Sequence, residues 1–135
     1  MRGKGIVTKI SVDASAWIEY LRGSERGQKV GGIIDSGAHE LFTPMSVVAE
    51  VVKFHLREKI DPERAIEAIQ RLSSLTPLSM ESSIHAAQLC VKYHSKKNAF
   101  GMLDAFVLAT AKEIGSKILT FDNDFKECKE AIIFM

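Results

Sequence analysis

The sequence is poor in cysteine and has none of the spacings that usually bind zinc. Cys90 and Cys128 are the only cysteines, there is no CxxC pair, and the four histidines share no ligand spacing. Unpaired thiols of this kind are typical of proteins in a reducing compartment. We therefore expect neither a disulfide framework nor a zinc site, and we expect a cytoplasmic location.

Long apolar runs and an excess of one charge are also missing. No uncharged apolar stretch approaches the roughly 18 residues that a membrane span needs. Lys9 and Asp13 interrupt the N-terminal apolar segment too early for a signal peptide. The 18 basic and 17 acidic residues leave a net charge of +1, which indicates neither a nucleic-acid-binding tail nor a membrane-surface protein. A basic surface would therefore have to be formed by residues that folding brings together.

The chain has the length and composition of one globular domain. It contains 135 residues, 46% of them hydrophobic, and no repeat, linker or low-complexity block divides it. A chain of this size buries about two thirds of the surface that its unfolded form exposes. Residues 1–135 are predicted to form a single domain, with residues 1–8 as a candidate flexible leader.

Short apolar strands alternate with helical segments along the chain. Strands are predicted at 9–12, 40–43, 75–78, 117–120 and 131–134. Helices are predicted at 15–21, 28–34, 47–59, 62–72, 82–97 and 101–114, and Ser46 is expected to cap the third of them. This alternation is typical of a parallel sheet covered by helices on both faces. Ligands bind such sheets outside the carboxyl ends of the strands, where Asp13 and Asp122 fall.

Four acidic residues stand apart from other charges: Asp13, Glu50, Asp104 and Asp122. Glu50 lies within the apolar run 47–52, and Asp104 has no lysine or arginine within a helical turn. A carboxylate that faces a core must be paired, hydrogen-bonded, protonated or bound to metal. Converging carboxylates repel one another, and their oxygen ligands suit Mg²⁺ or Mn²⁺, ions that activate water and neutralise phosphodiester charge. The four acids therefore predict a metal site for phosphodiester hydrolysis.

Each acid also has a purely structural interpretation. Asp13 could cap the helix after the first strand, Asp104 could answer the dipole of its helix, and Asp122 could brace a turn. Glu50, in the middle of a helix, would then need a basic partner elsewhere in the fold. The coincidence of four such acids favours a common site.

The motifs around these acids resemble those of the PIN-domain ribonucleases, especially the small VapC-type toxins. The similarity extends over nearly the whole chain. The motifs are Val12-Asp13-Ala14-Ser15, Ser46-Val47-Val48-Ala49-Glu50, Leu103-Asp104-Ala105 and Thr120-Phe121-Asp122-Asn123-Asp124-Phe125. One departure is Ala14, where threonine is common in the family, although Ser15 follows it.

The resemblance implies a three-layer α/β/α domain with a mainly parallel sheet. It implies a Mg²⁺- or Mn²⁺-dependent endoribonuclease that hydrolyses RNA phosphodiester bonds. The metal-binding and catalytic residues that it implies are Asp13, Glu50, Asp104 and Asp122, with Ser15, Thr120 and Asp124 as supporting polar groups. It further implies the toxin of a toxin–antitoxin pair, a homodimer inhibited by a small antitoxin protein.

Several interpretations stay open at this point. Asp124 either assists the metal from outside its direct ligands or caps the turn into Phe125, and we favour the second. The alternative functions are a catalytically silent PIN-like domain and a receiver-like domain that acts by binding partners. A receiver would need paired acids after the first strand, yet Ala14 and Ser15 follow Asp13. Two basic groups would guide RNA if folding brings them beside the acids: Arg22, Arg26 and Lys29, and Lys92, Lys96 and Lys97.

Overall fold

The computed structural model describes residues 8–134 and arranges them around a five-stranded parallel sheet. The strands are β1 (Thr8–Val12), β2 (His39–Pro44), β3 (Ser74–Thr76), β4 (Lys117–Thr120) and β5 (Ala131–Ile133). The helices are α1 (Ala14–Arg22), α2 (Glu25–Ile34), α3 (Met45–Arg57), α4 (Glu63–Leu72), α5 (Met80–Tyr93) and α6 (Met102–Ile114), and a short 3-10 helix (Asn123–Phe125) follows β4. The candidate leader lies outside the described residues except for Thr8, which belongs to β1 rather than to a leader.

The strand order β3-β2-β1-β4-β5 places β1 at the centre of the sheet. The chain adds β2 and β3 on one side of β1 and then crosses to add β4 and β5 on the other, with every pair parallel. The order therefore reverses between β1 and β4. In sheets of this type the carboxyl edge at the reversal is where ligands bind.

Helices cover both faces of the sheet. Successive residues of a strand point to opposite faces, and Ile10, Ser11 and Val12 are all buried, as are Ile118 and Leu119 of β4. A sheet with one face in water would instead alternate buried and exposed residues. The predicted three-layer α/β/α class with a parallel sheet is confirmed. Within residues 8–134, no helix combines the length and apolar character that crossing a membrane requires.

The prediction that Ser46 caps the third helix is wrong. The chain enters α3 directly from β2, so that extended Pro44 (φ −62°, ψ 144°) takes the cap position. Ser46 then falls inside the first turn, where its hydroxyl is buried without a hydrogen-bond partner among the described residues. The helix predicted to reach residue 97 ends at Tyr93, because His94 turns to an extended conformation (φ −71°, ψ 134°). Most other boundaries agree within about three residues.

Candidate active site

The four isolated acids meet at the carboxyl edge of the sheet. Asp13 follows β1 directly, Asp122 follows β4 after one intervening residue, Asp104 lies in the first turn of α6, and Glu50 lies in the middle of α3. All four line one cleft of about 270 Å³. The parallel register causes part of this convergence, because Val12 pairs with Leu119 and Asp13 N–H donates to the Leu119 carbonyl oxygen at 3.0 Å.

Asp13 is the most deeply buried of the four, with 5% of its surface exposed. Its Oδ2 atom accepts hydrogen bonds from the hydroxyls of Thr120 at 2.7 Å and Ser15 at 3.3 Å. Burial raises the pKa of Asp13 above its usual range, and the Thr120 hydrogen bond opposes that rise. Although Asp13 occupies the cap position of α1, its side chain makes no capping hydrogen bond. Asp13 thus caps α1 through its backbone, and its carboxylate is left to accept from the hydroxyls.

Two hydroxyls tie Asp13 to the segment that carries Asp122. Ser15 Oγ accepts a hydrogen bond from the backbone N–H of Phe121 at 2.9 Å, and Thr120 Oγ1 accepts one from the N–H of Asp122, also at 2.9 Å. The same two hydroxyls face each other at 3.1 Å. Ser15 and Thr120 thus link the end of β1 to the end of β4 through hydrogen bonds.

Glu50 and Asp104 are carboxylates in an unfavourable electrostatic environment. Burial, followed by the charges of the three neighbouring aspartates, raises the pKa of Glu50 to about 7, although the charge of Lys53 opposes the rise. Burial likewise raises the pKa of Asp104 to about 7, although Gly101 N–H donates to its Oδ2 at 2.9 Å. Ion pairs found in residues 8–134 involve none of these acids. A basic partner for Glu50, which its structural interpretation required, is therefore not found there.

The donor set fits a divalent cation. Asp104, Asp122 and Asp124 each offer a carboxylate oxygen, and these oxygens lie within 4.8 Å of one another. Asp13 and Glu50 line the adjoining cleft. Oxygen ligands of this kind suit hard cations, and a bound cation would offset both the burial and the mutual repulsion that raise the pKa values. The acidic cluster can therefore bind a divalent metal.

Asp124 is placed differently from our favoured interpretation. The residue that caps the turn is Asp122, whose Oδ1 accepts a hydrogen bond from Asp124 N–H at 2.8 Å. The side chain of Asp124 instead joins the carboxylate cluster, and burial followed by the charge of Asp122 raises its pKa.

The basic residues that line the cleft are not the predicted ones. Lys53 and Arg57 of α3 line it together with Phe54, whereas no member of the two predicted basic groups does. Of these residues, Arg26 packs against Phe121, the neighbour of Asp122 in the chain. Its guanidinium lies 4.3 Å from the ring centroid of Phe121. Helical spacing from Glu50 was the signal that could have found Lys53 and Arg57, three and seven residues further on.

Comparisons with known proteins agree with the fold. The family model described as PIN domain matches residues 10–131. A search of curated proteins finds no match.

Similar solved structures include a toxin–antitoxin complex and a toxin. A toxin–antitoxin complex from Klebsiella pneumoniae has 16% identity and a TM-score of 0.73, over 91% of this chain and 95% of that one. VapC20 of Mycobacterium tuberculosis, described as a Sarcin-Ricin loop cleaving toxin, has 19% identity and a TM-score of 0.70, over 89% and 95%. FitAcB from Neisseria gonorrhoeae has 16% identity and a TM-score of 0.66, over 93% and 96%. At these identities the likeness shows a shared fold.

Proposed function

The chain belongs to the PIN-domain family, and on that premise we propose that it is a Mg²⁺- or Mn²⁺-dependent endoribonuclease that hydrolyses RNA phosphodiester bonds. The observation that carries the proposal is the convergence of four carboxylates on one cleft, without an ion-pair partner in the described residues. The receiver-like alternative is set aside, because the family that matches is the PIN domain.

Asp104, Asp122 and Asp124 would hold the cation, with Asp13 and Glu50 completing the acidic cleft. When bound, such a cation would lower the pKa of the attacking water and neutralise negative charge on the phosphodiester. The chain's own contribution is orientation. Thr120 and Ser15 hold Asp13 through their hydroxyls, and the N–H of Gly101 holds Asp104. No side chain is needed as a covalent nucleophile.

We further propose that residues 1–135 form a single domain that acts in the cytoplasm as the toxin of a toxin–antitoxin pair. The similar structures from Klebsiella pneumoniae and Mycobacterium tuberculosis are a toxin–antitoxin complex and a toxin. They support a small antitoxin protein as the partner. The active form is proposed to be a homodimer, which sedimentation equilibrium of the purified chain tests directly.

Cleavage assays with acid-to-amide variants test the ribonuclease proposal. The chain is incubated with single-stranded and structured RNA in Mg²⁺, in Mn²⁺ or in chelator. Asp104→Asn and Asp122→Asn are each expected to reduce the cleavage rate roughly 100-fold or more, because even indirect supports of a metal site cost 10- to 100-fold. Glu67→Gln, an exposed acid of α4, is the matched control and keeps full activity. Cleavage that survives Asp104→Asn or chelator contradicts the mechanism, and metal binding without cleavage favours the catalytically silent alternative.

Growth experiments test the toxin role. Expression of the chain in a bacterial host is expected to arrest growth, because cleavage of cellular RNA stops protein synthesis. Asp104→Asn should remove the arrest, and co-expression of the small protein encoded by the neighbouring open reading frame should restore growth. Unimpaired growth at full expression of an active ribonuclease would count against a toxin while leaving the enzyme activity intact.

A further inference from the structure

One wall of the acidic cleft is a single face of α3. Glu50, Lys53, Phe54 and Arg57 all line the cleft, and their spacing of three, four and seven residues places them on the same side of the helix. With a rise of about 1.5 Å per residue, Lys53 lies about 4.5 Å and Arg57 about 10.5 Å further along the axis than Glu50. This wall therefore leads away from the carboxylates in a line of two cations and an aromatic ring.

The two cations are available for a ligand. Lys53 and Arg57 are exposed, and neither has a salt bridge or side-chain hydrogen bond within the part of the chain that the structure describes. Simple solvation explains most exposed cations. These two, however, border a cleft with four carboxylates, and neither is within salt-bridge distance of them. Once a divalent cation occupies the carboxylates, Lys53 and Arg57 remain as the positive charge beside the site.

The ring between them has an accessible surface. Phe54 is half-buried, it lines the cleft, and its edge-to-face contact with His55 places the ring centroids 5.6 Å apart. Proteins that bind single-stranded nucleic acid combine a cationic groove for the backbone with aromatic rings on which bases stack. Bases within a duplex are already stacked and cannot reach such a ring, so the combination selects unpaired nucleotides.

We propose that Lys53, Phe54 and Arg57 form a subsite for an unpaired nucleotide next to the bond that is cut. Lys53 and Arg57 bind successive backbone phosphates, and Phe54 stacks on the base. The subsite deepens the proposed ribonuclease function and depends on it. It positions the substrate and takes no part in bond breaking. Its loss should therefore change KM and the dissociation constant of RNA far more than kcat.

Binding of a fluorescein-labelled 12-nucleotide single-stranded RNA, followed by anisotropy in Mg²⁺, tests the subsite. The full chain carries Asp104→Asn so that the probe stays intact. Lys53→Ala with Arg57→Ala is expected to raise Kd tenfold or more. The slope of log K against log salt should shrink by about 1.4, because each phosphate contact on a single strand contributes about 0.7. Lys117→Ala with Lys129→Ala removes the same charge from exposed positions that do not line the cleft and should change neither value by more than twofold.

The contribution of the Phe54 ring is measured with separate variants. Phe54→Leu is expected to raise Kd at least about fivefold through lost stacking, with the salt slope unchanged. Phe54→Tyr keeps a stacking ring and should bind within twofold of the parent. Thermal melting of each variant identifies any loss of folding. In the active chain, the Lys53 and Arg57 changes should raise KM while kcat stays within about twofold.

Two outcomes overturn the subsite and are distinguishable. If the Lys53 and Arg57 changes alter Kd and salt slope no more than the Lys117 and Lys129 control, the subsite is wrong, while acid-dependent cleavage still upholds the ribonuclease. If the unsubstituted chain neither cleaves RNA nor binds it, the subsite and the proposed function fall together.

Discussion

At the scale of single residues, Asp13 is a buried carboxylate whose hydrogen bonds only partly offset the cost of burial. Burying a carboxylate costs several kcal/mol after relaxation, and a hydrogen bond to a charged group returns about 1.5–3 kcal/mol. Asp13 receives two side-chain hydrogen bonds, one of them at the long distance of 3.3 Å. Burial still dominates, since the pKa of Asp13 is raised. The hydroxyls orient this carboxylate without fully compensating for its burial.

Replacement of Thr120 by valine should expose the contribution of its hydroxyl. Valine leaves Asp13 Oδ2 without its 2.7 Å donor and the N–H of Asp122 without an acceptor. We expect Thr120→Val to lower the free energy of unfolding by roughly 1–3 kcal/mol, measured by urea denaturation in metal-free buffer. Thr120→Ser keeps the hydroxyl and is expected to lose less. Equal stability of the serine and valine variants would show that these hydrogen bonds do not matter.

At the scale of elements, α1 and α2 pack closely against each other. The pair α1–α2 comes close at Gly27, where an added Cβ atom would lie 1.9 Å from the carbonyl oxygen of Glu19. Ser24 caps α2 by accepting a hydrogen bond from Gly27 N–H at 3.0 Å. The pair Gly31-Gly32 weakens helix propensity, yet α2 is continuous through it. Tertiary packing therefore overrides the local preference in α2.

Two alanine substitutions in the same helix should have opposite effects. Gly27→Ala forces α1 and α2 apart and is expected to destabilise the chain by about 1–3 kcal/mol or more. Gly32→Ala meets nothing within 4 Å and should stabilise it by about 0.4–1 kcal/mol, since alanine restricts the unfolded chain. Thermal and urea unfolding measure both changes. A neutral Gly27→Ala would mean that the two helices are not held at this distance.

At the scale of the whole molecule, an almost neutral chain concentrates negative charge at one edge. The net charge is +1, yet burial and neighbouring acids raise the pKa values of Glu50 and Asp104 from ordinary values of 4.5 and 3.8 to about 7. Between the ordinary and the raised values, the folded state binds more protons than the unfolded state. Stability without metal must therefore fall as pH rises through this range.

Stability measured against pH, with and without metal, tests this linkage. The metal-free chain should melt at a lower temperature at pH 8 than at pH 5, and Asp104→Asn should reduce the difference because the amide does not ionise. At pH 8, Mg²⁺ or Mn²⁺ at 100 times its Kd should raise the free energy of unfolding by about 2.7 kcal/mol. The increase should be smaller at pH 5, because protons compete with the metal for the carboxylates. Glu67→Gln should keep the pH dependence of the parent. A metal effect that is equal at both pH values would contradict coupling to these carboxylates.

The alternation of strands and helices and the four isolated acids can be read from the order of amino acids alone. Strand and helix periods are local properties, and a charge within an apolar run is visible without a fold. Predictions from local patterns were wrong where neighbouring elements set the capping residue. Ser46 lost its capping role because the chain entered the helix directly from a strand, and Asp122 rather than Asp124 capped the last turn.

The set of side chains that share the cleft depends on long-range packing. Asp13 and Thr120 are 107 residues apart in the chain, and they meet because β1 and β4 are neighbouring parallel strands whose carboxyl ends lie at the same edge. Strand order depends on contacts between residues that are far apart in the chain, so no short stretch of sequence encodes it. The same long-range packing places Lys53 and Arg57 beside the acids and the predicted basic groups outside the cleft.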